Sequence, residues 1–127
     1  MYLYNLIDGV LINGELVKTV SIEPLSNASR DTVVGLVDAQ HQHLVNMPDF
    51  KPVNDKHTQA IKGLMLLNEN AAASISYLGK HHVIFTYGDI CDYKITAQDW
   101  NVILTASMAV SNCIQVMMGK CSRNALY

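Results

Sequence analysis

Basic residues are too few and too scattered in this sequence to build a nucleic-acid-binding face. Nine Lys and Arg stand against eleven Asp and Glu, a formal net charge of −2. A protein that neutralises phosphates presents a clustered basic stripe instead, so DNA and RNA are not expected partners. Cysteine is scarce as well. Cys91, Cys113 and Cys121 are widely spaced, odd in number and form no C-x-x-C pair. That excludes a secreted disulfide framework and fits reduced thiols in a cytoplasm. The opening Met1-Tyr2-Leu3-Tyr4-Asn5 has neither the basic start nor the apolar core of a signal peptide, and a cytoplasmic location is expected.

The motifs of familiar chemistry are missing too. There is no G-x-S-x-G, no P-loop and no G-x-G-x-x-G. His41 and His43 would diverge by about 200° on a helix, and the adjacent His81 and His82 would diverge as well, so no metal site is expected. Cys91 stands between Asp89 and Asp92, whose charges oppose thiolate formation. Asp89 and Asp92 themselves read as loop or helix-cap residues. The sequence thus predicts no catalytic residue, no cofactor and no enzyme activity.

One long uncharged stretch runs from Asn101 to Gly119. Its length approaches the roughly 20 residues of a membrane span, but Ser107, Ser111, Asn112 and Gln115 interrupt it and its apolar residues recur at helical spacing. It reads as a buried helix, and no membrane partner is expected.

At 127 residues, half of them hydrophobic, the chain is expected to fold as one domain without a disulfide or metal. Residues 2–23 read as a β-hairpin about Asn13-Gly14, a pair suited to the positive φ angles of a type I′ turn. That turn sets Ile12 opposite Glu15, Leu11 opposite Leu16 and Val10 opposite Val17. In the second strand Leu16, Val20 and Ile22 should share one face, with Val17, Thr19 and Ser21 on the other. Asp8-Gly9 is a bulge or second turn. Pro24 ends the strand.

Residues 27–119 read as helical and 120–127 as a short tail. A first helix follows the Ser26–Ser29 capping oxygens and runs to about Val45, with Asp31 in its first turn. After a loop holding Pro48 and Pro52, a second helix carries the stripe Ile61, Leu64, Met65, Ala72 and Ile75 to about Gly79. Asn68-Glu69-Asn70 is a point where it could divide, and Val83-Ile84-Phe85 is too short to assign. The last helix opens on Thr96 with Asp99 three residues on, an Asp version of the capping box. Trp100, Ile103, Val110, Ile114 and Met117 follow at helical spacing. A helix this apolar needs cover on more than one side, so these five are the candidate protein interface, and a homo-oligomer is expected. The fold class is α+β, an N-terminal β-hairpin followed by a mainly helical bundle of three or more helices.

The order of elements carries a resemblance. A hairpin with an Asn-Gly-Glu turn leads into Lys18-Thr19-Val20-Ser21-Ile22-Glu23-Pro24, then a capped helix with Asp31. Ile95-Thr96-Ala97-Gln98-Asp99-Trp100 opens the final helix. This resembles the tail assembly chaperones of Mu-like and related long-tailed phages. The resemblance implies a non-catalytic role in the host cell cytoplasm: binding the tape measure protein during tail assembly and self-associating around it. Met108, Met117 and Met118 would supply adaptable apolar surface for that task. The competing expectation is another small phage-encoded binding module, such as an inhibitor of a host defence enzyme.

Overall fold

The computed structural model of the chain describes residues 2–82 and 86–117, and the side chains of 112–117 are not described. The Val83-Ile84-Phe85 run, Met118, Gly119 and the tail fall outside the described residues. The fold is α+β. Strands β1 (Tyr2–Ile12) and β2 (Glu15–Ile22) precede helices α1 (Asn27–Val45) and α2 (Asp55–Ser74). Strands β3 (Ile75–Leu78) and β4 (His81–His82) follow, then α3 (Tyr87–Asp92) and α4 (Ala97–Met117).

The hairpin register is the one its turn dictates. Asn13 and Gly14 both take positive φ, 52° and 81°, and the pairs Ile12–Glu15, Leu11–Leu16 and Val10–Val17 all form. The faces differ from simple alternation. Four residues of β1, Leu6 to Gly9, stand opposite Lys18 alone, because pairing jumps from Asn5–Thr19 to Val10–Val17. Across that bulge Val17 joins Val20 and Ile22 in the core, while Leu16, expected inside, is 53% exposed. Gly9 supplies the positive φ of 87° that the bulge requires.

The second helix is shorter than its apolar stripe suggests. It stops at Ser74, and Ile75–Leu78 leaves it as a strand that pairs antiparallel with β2. Ile75 therefore belongs to the sheet rather than to the helix. The β-branched and aromatic content of Ile75-Ser76-Tyr77-Leu78 suits a strand, and the open edge of β2 provides its partner. The result is a four-stranded antiparallel sheet in the order β1-β2-β3-β4. Asn68-Glu69-Asn70 does not divide α2, and Leu64 is 60% exposed rather than packed.

One continuous core joins Leu6, Val10, Val20 and Ile22 of the hairpin to Ala72 of α2, Leu78, Ile90, Ile103 and Val110. Helix α1 lies outside that cluster. It packs on α2 and buries only Val33 and Val37. Ser26 caps it by accepting from the Ser29 amide at 3.1 Å. Because the helix begins at Asn27, Asp31 falls beyond its first turn, and the expected dipole contact is absent.

Short helix α3 is held by a reciprocal cap. The Asp89 amide donates to Thr86 Oγ1 at 3.3 Å, and the Thr86 amide donates back to Asp89 Oδ2 at 3.0 Å. The Thr86 backbone first, and its hydroxyl second, hold the Asp89 carboxyl below the ordinary carboxylate value. A depressed value means that the cap is intact above the unfolded-state value and is lost as pH falls through the folded one. A carbon-13 titration of the Asp89 carboxyl should give a midpoint below that of an unstructured aspartate. Thr86→Ala, which leaves the backbone donor in place, should raise it only part of the way. An ordinary midpoint in the unaltered chain would contradict the cap.

Candidate functional site

The most buried polar group in the described chain is the Asp99 carboxylate, with no exposed surface. It lies in the first turn of α4, where Thr96 Oγ1 accepts from the Asp99 amide at 3.2 Å. That is half of the expected capping box. The carboxylate does not return to its own helix but reaches the β1 bulge about ninety residues away. Oδ1 accepts from the Ile7 amide at 2.5 Å and the Asp8 amide at 3.2 Å. Oδ2 accepts from the Asp8 amide at 3.2 Å and the Gly9 amide at 2.9 Å. Asp8 answers in the other direction, accepting from the Thr96 hydroxyl at 2.7 Å. Three successive bulge amides cannot join the sheet ladder, and a carboxylate satisfies them together. Asp8-Gly9 and Thr96-x-x-Asp99, read separately in the sequence, are two halves of one clasp.

The clasp fixes the geometry of a groove. Edge strand β1 and helix α4 run beside each other, and between them lies a cavity of about 500 Å³. Tyr4 and Ile7 line the strand side, and Val102, Ala106 and Ala109 the helix side. Gln98, Asn101 and Thr105 add polar contacts along the helix. Ile7 is 55% exposed although its own amide is bound by Asp99. On the opposite face of β1, Leu3 at 66% and Leu11 at 65% are also exposed, and Leu16 adjoins Leu11 across the hairpin. An edge strand of eleven residues with exposed apolar side chains is a template for pairing or docking.

The five residues singled out on α4 are divided by the structure. Ile103 and Val110 are enclosed by the chain's own core, at 0% and 1% exposure, which removes them from any surface. Trp100 is half-buried. Its Nε1 donates to Asn68 Oδ1 at 3.0 Å, and its ring lies 5.2 Å from that of Tyr87. Ile114 and Met117 belong to α4 by their backbone, and their side chains lie outside the described ones. Of the groove-lining positions on α4, Val102, Ala106 and Ala109 are expected only to widen the helix's apolar surface, and Gln98, Asn101 and Thr105 were missed. Only the placement of β1 beside α4 shows that these positions line one groove.

The residues weighed for chemistry stay apart. His41 and His43 lie on α1, and His81 approaches Glu15 at 3.9 Å. Cys91 is exposed on α3. Burial first, and the neighbouring Cys91 second, push the Tyr87 phenol above its ordinary value, so it stays protonated at neutral pH. No helix among the described residues is long and apolar enough to cross a membrane. No family model, curated protein or solved structure matches this chain.

Proposed function

We propose that the chain is a non-catalytic tail assembly chaperone of a phage or prophage, binding the tape measure protein in the host cytoplasm. The observation that carries this is the apolar groove between β1 and α4, with exposed Ile7 at its edge. A tape measure protein presents long apolar helices before it is sheathed. An apolar groove with an exposed aliphatic residue at its edge takes such a helix by anchors at i, i+3 or i+4, and i+7. The Asp99 clasp keeps the groove rigid, so little ordering is needed on the chaperone's side. Self-association around the client completes the role, with the same exposed β1 surface available to a second copy.

Co-expression with the tape measure protein encoded in the same gene cluster tests the proposal. The client should be insoluble alone, and soluble and co-eluting when this chain is present. An equally soluble client in both cases, or a gene cluster with no tape measure protein, would overturn it. Capture of a host enzyme through the same groove would move the assignment to an inhibitor.

A further inference from the structure

Two buried carboxylates occur among the described residues, Asp99 and Glu69, and only the first has its acceptor positions filled. Glu69, on α2, is 3% exposed. One oxygen accepts from the Tyr87 amide and the other from Gln40 Nε2 at 3.3 Å. A carboxylate offers about four lone-pair positions, and among the described residues two donors reach this one. Both partners are neutral. Among the described residues the ion pairs are Lys62–Asp38 at 2.7 Å and the long His81–Glu15 contact, and neither involves Glu69. A carboxylate taken out of water is unfavourable unless a cation or a full set of donors compensates it.

Glu69 also forms part of the wall of a pocket of about 320 Å³ between α1 and α2. The wall is mainly aliphatic, from Val33 and Leu36 of α1 and Ala73 one turn beyond Glu69, with the Thr32 and Thr86 hydroxyls beside them. The volume is at the small end for a ligand site. An apolar chamber with one under-bonded carboxylate complements a short alkyl chain ending in a cation.

We propose that this pocket binds an alkylammonium group, its head on Glu69 and its chain against Val33, Leu36 and Ala73. The group can arrive as a free small amine or as a lysine side chain of a protein partner. The site does not depend on the groove beside β1 or on the role proposed for it.

The Tyr87 amide, which donates to Glu69, is a built-in reporter. Titration of the ¹⁵N-labelled chain with n-butylammonium chloride, at constant ionic strength, should move the Tyr87, Thr86, Thr32 and Ala73 amide signals saturably. Neutral n-butanol should act at least tenfold more weakly, and Glu69→Gln should weaken butylammonium binding at least tenfold. Should Glu69→Gln fail to fold, Ala28→Leu narrows the pocket from an exposed position on its wall and should give the same loss. Nα-acetyl-lysine methylamide separates the sources. Binding at least as tight as butylammonium favours a lysine side chain, and weaker binding favours a free amine. Equal responses to butanol and butylammonium, or a butylammonium response unchanged by Ala28→Leu, would overturn the site.

Discussion

An Asp99→Ala variant is expected to lose about 4 kcal/mol of folding stability, from three backbone amides each left short of an acceptor at roughly 1–3 kcal/mol and relieved in part by water. The Ile7, Asp8 and Gly9 amides converge on that one carboxylate, and the bulge offers them no ladder partner. Native domains are stable by roughly 5–15 kcal/mol, so the variant should lose a quarter or more of its margin. Asp99→Asn should lose about half as much, because its amide nitrogen faces donors where the carboxylate oxygen faced them. Thr96→Ala should cost about 1 kcal/mol, the usual loss of a helix N-cap hydroxyl, plus whatever its bond to Asp8 contributes. Urea denaturation followed by circular dichroism measures all three. An Asp99→Ala chain within 1 kcal/mol of the parent would show that water replaces the carboxylate, and the rigid-groove argument would fall with it.

The clasp also shows what sequence reasoning can and cannot reach. Local rules placed the Asn13-Gly14 turn, the hairpin register, the Ser26 cap and the opening of α4 at Thr96, because each depends on residues within a few positions of one another. They misplaced Leu16 and Val17, because the face each occupies depends on a bulge in the other strand. They carried α2 past Ser74, because apolar spacing continues through Ile75 while the strand's reason to form lies on β2, more than fifty residues earlier. Asp99 matched a capping-box pattern and had a reasonable local role. Its actual partners are set by the approach of α4 to β1, which no short-range pattern encodes. The same limit hid Glu69, a polar residue in the middle of a helix, whose burial is set by Gln40 on α1 and the start of α3. The groove was only half visible, since Val102, Ala106 and Ala109 read as extra apolar surface on α4 and nothing nearby in the sequence says that β1 lies beside them.

Placement changes which substitution tests binding. Val110 is at 1% exposure inside the core, so a charge there would unfold the chain and report nothing about assembly. Ile7 is the discriminating position. Its backbone is fixed by Asp99 whatever the side chain, and its side chain is more than half exposed beside the groove. Ile7→Lys should therefore leave stability within about 0.5 kcal/mol, as for most surface changes. A charge placed among the apolar contacts of a docked helix should cost about 2 kcal/mol or more, roughly thirtyfold in Kd. Val53→Lys, at a position 85% exposed and away from the groove, serves as the control and should change neither quantity. Light scattering over a range of concentrations, alongside client binding, resolves the two uses of the surface. If a second copy and the client both seat on β1, Ile7→Lys weakens self-association and client capture together. If only client capture falls, the copies meet elsewhere. If Ile7→Lys binds as the parent does, the groove beside β1 is not the docking surface, and the chaperone reading loses the observation that carries it.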